Sequence, residues 1–217
     1  MEDADDLVVL VADTQMEETI RGLLSQPRAL GIHPLSFEVY SHPNKDPGCR
    51  SKAHKFLRPF HTRYRRGLVI FDYHGCGAEH TSTPEEIETT VEENVQQSGW
   101  YGRARCLIID PELEVWVWSD SREVDRCLGW DPASQRVRSW LQTKDLWPAD
   151  APKPSDPKEA MEAALEEANL PRSSSVFRDL AESVSLRQCE DESFGRFRRI
   201  LQEWFPPSWQ QQERGGS

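Results

Sequence analysis

Three carboxylates stand at the ends of apolar runs. Asp13 follows Leu7 to Ala12 (LVVLVA), Asp72 closes Leu68 to Asp72 (LVIFD), and Asp110 closes Arg105 to Asp110 (RCLIID), with Glu112 and Glu114 just beyond. Runs of this kind read as strands buried on both faces, which suits a parallel sheet. In open α/β sheets, ligands bind beyond the carboxyl ends of the strands. Parallel strands would bring these acids to one edge, where like charges repel unless a cation sits among them. Mg²⁺ takes a few carboxylates together with waters and substrate phosphate oxygens. A site so built stabilises phosphoryl-transfer charge and positions a nucleophilic water. Each residue also has an ordinary reading: Asp13 or Thr14 as a helix N-cap, and Asp110 before Pro111 as another.

The elements that must position these groups follow from pattern. Thr14 to Glu17 has capping-box spacing, and Met16, Ile20, Leu23 and Leu24 recur at helical period. Leu35 to Tyr40 (LSFEVY) alternates like a second strand, and His42 to Gly48 reads as a loop. Ala53, Phe56, Leu57 and Phe60 predict a helix disturbed at Pro59. After the third strand, Gly75 and Gly77 mark a loop. Thr83, Pro84 and Glu86 open a helix whose Ile87, Val91 and Val95 share a face, and Gly99 ends it. Pro111 to Trp118 fits either a helix or an extended segment; the extended form would put Glu112 and Glu114 on one face, whereas a helix would separate them.

The expected fold is therefore α/β, a four-stranded parallel sheet flanked by helices, with a helical C-terminal extension. Residues 1–119 form the α/β domain and 120–209 the helical part packed on it. Helices are expected at Arg122–Leu128, Ala133–Leu141, Pro157–Ala168, Ser174–Val184 and Glu192–Trp204, and residues 210–217 read as a disordered tail.

Composition narrows the function. The chain has 217 residues and a formal net charge of −11, which argues against a generally basic nucleic-acid-binding surface. Its five Cys are spread without a CxxC, so neither a disulfide framework nor a zinc ribbon is expected, and a reducing cytoplasm is the simple reading. The acidic opening is neither a signal nor a transit peptide, and no apolar run reaches transmembrane length. The stretch before the third strand is the most basic. Lys52, Lys55, Arg58 and Arg65 are its candidate phosphate contacts, and beside an acidic metal site they would hold a nucleic-acid backbone. The competing reading is the solvated face of a helix.

Other constellations are weaker. His74, Cys76 and His80 lack a fourth zinc partner nearby. Gly75 and Gly77 suit positive φ or a phosphate cradle, but the chain has no GxxxxGK[ST] and no GxSxG. Most of the eight Trp are expected in the core, with Trp204 and Trp209 the candidates for a partner surface.

Taken in order, four segments resemble the TOPRIM-like family of bacterial anti-phage defence loci, most closely the small TOPRIM-like components of methylation-associated defence systems. They are Val11 to Glu18 (VADTQMEE), Phe71 to Gly75 (FDYHG), Pro111 to Trp116 (PELEVW) and the stretch from Cys189 to Trp204. The resemblance implies a nuclease that uses Mg²⁺ or Mn²⁺. Asp13 takes the place of the family's general acid/base Glu, Asp72 that of the first metal-binding Asp, and His74 that of the second. The chain departs from the pattern twice: Asp13 is one methylene shorter than Glu, and imidazole is a poor Mg²⁺ ligand. Glu112 or Glu114 would then restore the missing carboxylate. Asp13 and His74 are thus the candidate catalytic residues and Asp72, Glu112 and Glu114 the candidate metal ligands. The implied partners are other defence-system proteins and DNA or RNA, with no membrane. The alternative is a degenerate, non-catalytic interaction module in a multi-protein defence complex.

Overall fold

A computed structural model of the protein describes residues 4–131, 133–183 and 191–207. The chain opens with β1 (Asp5–Val11), α1 (Thr14–Leu24), the short α2 (Pro27–Leu30), β2 (Phe37–Ser41) and α3 (Lys45–Leu57). A 3₁₀ turn at Arg58–Phe60 leads to β3 (Tyr64–Asp72). Next come α4 (Pro84–Val95), a π turn at Gln96–Trp100 and β4 (Ala104–Ile109). The four strands form one parallel sheet in the order β2-β1-β3-β4. Val9 lies opposite Val39 on one side and Leu68 on the other.

The apolar runs explain the order. Leu7 to Val11 and Leu68 to Phe71 are completely buried, as central strands covered on both faces must be. β2 exposes more of its surface and lies at an edge. The chain moves to one side of β1 to make β2, then crosses back to make β3. Right-handed crossovers then place α1 and α3 on opposite faces. The reversal leaves a crevice between the carboxyl ends of β1 and β3.

β4 is the other edge, and α4 protects it. The Glu92 carboxylate accepts from Cys106 N at 3.2 Å and the Glu88 carboxylate from Ile108 N at 2.6 Å. Glu88 and Glu92 are one helical turn apart, and residues 106 and 108 are one strand period apart. The two periodicities therefore match, and the unpaired edge donors are satisfied.

Beyond the sheet come α5 (Glu114–Val117), α6 (Arg122–Cys127), α7 (Val137–Thr143), α8 (Pro157–Glu167), α9 (Ser174–Ser183) and α10 (Glu192–Trp204). Trp118, Leu128, Leu141, Trp147, Met161 and Leu180 belong to a second hydrophobic cluster that starts at Val117. Phe177 of α9 and Phe194, Phe197 and Leu201 of α10 belong instead to the core around the sheet. The helical part is thus fastened to the sheet domain by its last two helices. Among the described residues no helix is long and apolar enough to cross a membrane.

Several boundaries differ from the pattern-based expectation: β3 begins at Tyr64, before the apolar run at Leu68, β2 runs Phe37–Ser41, and two helix starts have a local cause. α3 begins at Lys45, eight residues before the first apolar position that signals it, because Pro47 falls in the first turn, where no intrahelical N–H bond is lost. α7 begins at Val137 rather than Ala133, because Asp131 folds the preceding residues into a turn, its Oδ1 accepting from Ala133 N at 3.0 Å. The expected tail at 210–217 lies outside the described residues, as do Cys189 and Trp209.

Candidate functional site

The crevice between the ends of β1 and β3 gathers acidic side chains from four elements. Asp13 follows β1 and caps α1: its Oδ1 accepts from Gln15 N at 2.9 Å and Met16 N at 3.0 Å. The capping reading of Asp13 therefore holds, and the cap uses only one carboxylate oxygen. Asp72 ends β3. Its backbone N–H donates to Asp46 Oδ1 at 2.9 Å, which joins the first turn of α3 to the strand end. Asp72 Oδ1 is shielded from solvent and has no hydrogen-bond partner.

Charge defines the cluster. Burial, then the carboxylates of Asp46, Glu114, Asp13 and Glu112, push the Asp72 carboxyl well above the usual carboxylate range. Asp46 is raised by burial and by Asp13, against the opposing pull of the Asp72 N–H and of Lys158. Glu112 is raised by burial and by Glu114, with Lys158 opposing. Five carboxylates therefore share one electrostatic environment.

Two cations enter it from the helical part. Arg172 pairs with Glu114, which is only 2% exposed, and its Nη2 also donates to Gln15 Oε1 at 2.8 Å. Lys158, in the first turn of α8, lies 3.6 Å from Glu112. Glu114 sits at the start of the helical turn α5 and not on an extended segment, so the two glutamates do not share one face. Each glutamate has its own cation, whereas among the described residues Asp13, Asp46 and Asp72 form no salt bridge, and Lys158 acts on Asp46 without pairing with it. A cleft of about 510 Å³ opens beside Asp13, lined also by Ser41, His42, Lys45, Lys158 and Arg172 but not by Asp46 or Asp72. Lys45 stands at its mouth with φ 48°, a left-handed conformation that costs energy in a side-chain-bearing residue.

The other expected residues are placed differently. His74 is exposed on the loop after β3, close enough to Glu112 for its charge to lower that carboxyl. Asp110 is exposed and is not among the carboxylates that act most strongly on Asp72. Lys52, Lys55 and Arg58 are exposed on or just after α3, which runs back along the sheet away from the carboxylates. Arg65 is the second residue of β3, seven residues and so about 23 Å from Asp72 along the strand, and it lies 3.9 Å from Asp6. Lys55, Arg58 and Arg65 thus gather at the far end of the sheet, not beside the acids. Lys52 alone lies part-way, near enough to His42 to lower that imidazole, after the larger effect of burial.

The glycine loop also departs from the phosphate-cradle reading. Gly75 and Gly77 have φ 87° and 78°, as the sequence suggests. The loop, however, already holds an anion of its own: Glu79 Oε1 accepts from Gly75 N at 2.7 Å, and backbone donors of the loop hold the Glu79 carboxyl below its usual range. Trp100, Trp116, Trp118 and Trp147 are buried, and Trp204 is partly buried beneath the Arg66 guanidinium, 5.3 Å from its ring.

Among the described residues no group of three His, Cys, Asp or Glu side chains is arranged to hold a metal ion unaided. The oxygen donors of Asp13, Asp46 and Asp72 nonetheless suit a hard cation, and the orphaned Asp72 Oδ1 is an acceptor without a donor. Mg²⁺ needs only one or two protein carboxylates, waters and substrate completing its shell. Glu112 and Glu114 fit that role poorly, since Lys158 and Arg172 already neutralise them. Comparison with family models, with curated proteins and with solved structures returned no match.

Proposed function

We propose that this chain is a divalent-metal-dependent nuclease of the TOPRIM-like kind, acting on nucleic-acid phosphodiesters in the cytoplasm as one component of a bacterial anti-phage defence system. The observation that carries the catalytic reading is the Asp72 carboxylate. It stands at the strand-order reversal with a shielded, unpartnered oxygen, and among the described residues neither it nor Asp13 nor Asp46 forms a salt bridge. The defence setting and the association with other defence proteins follow from the resemblance in the four sequence segments.

In this reading Asp72 and Asp46 hold Mg²⁺ or Mn²⁺, which when bound supplies charge neutralisation to the phosphoryl group. The Asp13 carboxylate, of which the cap uses one oxygen and whose charge acts on Asp72, takes the proton of the attacking water. Lys45 and Lys158 hold the phosphate as point charges at the cleft. Arg172 fixes Glu114 and Gln15 and so sets the shape of the cleft wall. His74, exposed at the rim, gives a proton to the leaving oxygen. The test is cleavage of single- and double-stranded DNA and RNA with Mg²⁺ or Mn²⁺. Loss of at least about 100-fold in rate is expected for Asp72→Asn and Asp13→Asn, the scale of general-base and metal-site defects. Cleavage that survives both substitutions contradicts the reading.

A second reading is favoured by a different observation. Asp13 serves as a helix cap, and among the described residues no three ligands converge. In a non-catalytic interaction module, the acids would shape a surface for another defence protein. That module binds its partner equally well with or without divalent metal.

A further inference from the structure

The far end of the sheet carries a second cavity, of about 540 Å³, formed where the last turn of α3 meets the π turn. His54, Lys55, Arg58 and His61 line one side, and Gly99 and Tyr101 the other. None of its lining side chains is acidic, in a chain of net charge −11. Lys55 and Arg58 are exposed, and among the described residues neither side chain is held by a carboxylate.

Helix carbonyls would normally repel an anion at such a place. Here several are occupied: Leu57 O accepts from Trp100 Nε1 at 3.2 Å, and Arg58 O is bonded by His61 Nδ1 at 2.6 Å. The two walls are also tied together, since Arg103 Nη2 donates to His61 O at 2.9 Å and to Gly99 O at 3.2 Å. His61 lies against Gly99 so closely that a Cβ there would stand 2.8 Å from its ring. At the rim, Tyr101 is 78% exposed and is the exposed large hydrophobic residue of the described chain. Its φ of 24° holds it in the left-handed region. A flat aromatic face beside paired cations matches a nucleotide, with base on ring and phosphate on cations.

We propose that this cavity is a nucleotide-binding site, in which Lys55 and Arg58 hold the phosphate and Tyr101 stacks on the base. Its Arg58 lies about 18 Å from Asp46 along the helix, the rise of the twelve steps from one to the other. It requires no metal and so goes beyond the nuclease reading.

The test is fluorescence anisotropy of a labelled twelve-residue oligothymidylate with the full chain, in EDTA so that metal chemistry has no part. Lys55→Glu and Tyr101→Ala are each expected to weaken binding at least about tenfold, the effect of one lost stacking or phosphate contact. Lys55→Glu should also lower the slope of log affinity against log salt by about 0.7. Arg28→Glu on α2 makes the same charge change away from the cavity and should leave affinity within about twofold of wild type. Competition by AMP assigns the site to free nucleotides, and its failure assigns it to nucleotides within a strand. Either outcome upholds the cavity when both substitutions weaken binding. Circular dichroism checks folding, with Arg58→Ala as the substitute should Lys55→Glu not fold. Unchanged affinity in folded Lys55→Glu and Tyr101→Ala, or no binding of either probe to wild type, overturns the proposal.

Discussion

Asp46 Oδ1 accepts the backbone N–H of Asp72 at 2.9 Å, so the first turn of α3 and the residue that ends β3 are held together across 26 positions of sequence. The bond fixes two carboxylates in one crevice. It satisfies the Asp72 backbone N–H, while Asp72 Oδ1 stays shielded and without a donor.

The first expectation concerns pH. The Asp72 carboxyl is raised in the folded state, by burial first and by its acidic neighbours second. Below about pH 4 it is protonated both folded and unfolded, and contributes nothing to the pH dependence. As pH rises past that value the unfolded chain releases the proton while the folded chain retains it, so the folded state binds more protons and stability falls. Asp72→Asn removes this loss. Without divalent metal, the variant should melt above wild type at pH 7, by about 2–4 °C for each kcal/mol relieved, and the gain should shrink toward pH 4. A variant melting below wild type at both pH values contradicts the assignment.

Arg172 ties three elements at the cleft wall through Glu114, Gln15 and Glu162. Its loss would leave Glu114, almost fully buried, without a cation. Removing one partner of a buried pair costs about 3 kcal/mol or more, discounted here because Arg172 is 25% exposed. Arg172→Ala should therefore lower stability by about 2 kcal/mol in urea denaturation, and Glu114→Gln by less. Equal stability of Arg172→Ala and wild type would show the pair to be unimportant.

Gly48, in the first turns of α3, lies against His42. A Cβ at Gly48 would stand 2.1 Å from His42 Nδ1, the atom that accepts from Asn44 N at 3.0 Å. Gly48→Ala must displace the imidazole and break that bond. Destabilisation of about 1–3 kcal/mol is expected, the usual cost of overpacking, despite alanine's better helix propensity. Thermal denaturation reads it directly, and a stabilised variant refutes the packing.

The fold was largely legible because its strongest signals are periodic. LVVLVA and LVIFD can only be buried strands, and Thr83-Pro84 with Glu86 forms the expected capping box. The site was legible in part. Asp13 and Asp72 announce themselves at strand ends, but Asp46 lies beside Pro47 and Gly48, residues that read as loop until the helix is seen to start ahead of them. Arg172 reaches Glu114 from 58 residues away and Lys158 reaches Glu112 from 46 residues away, and no local pattern signals either pair. The basic stretch of α3 was visible, but its distance from the acids depends on the direction in which the helix runs.

Thiol chemistry gives an independent check on packing. Burial raises the thiols of Cys49, Cys76, Cys106 and Cys127, but only Cys127 among these four is half-buried and so within reach of reagent. Thiolate is the reactive form. In peptide-mapped alkylation of native protein, Cys127 should label well before Cys49 and Cys106. Early labelling of Cys106 would show that the sheet core is open.

The central claim is that the crevice around Asp72 takes a divalent cation. Isothermal titration calorimetry of wild type and Asp72→Asn with Mg²⁺ and with Mn²⁺ tests it most directly. Saturable binding to wild type that is lost in a folded Asp72→Asn is the result predicted. The absence of binding by either ion to folded wild-type protein, or equal binding by both proteins, would contradict it.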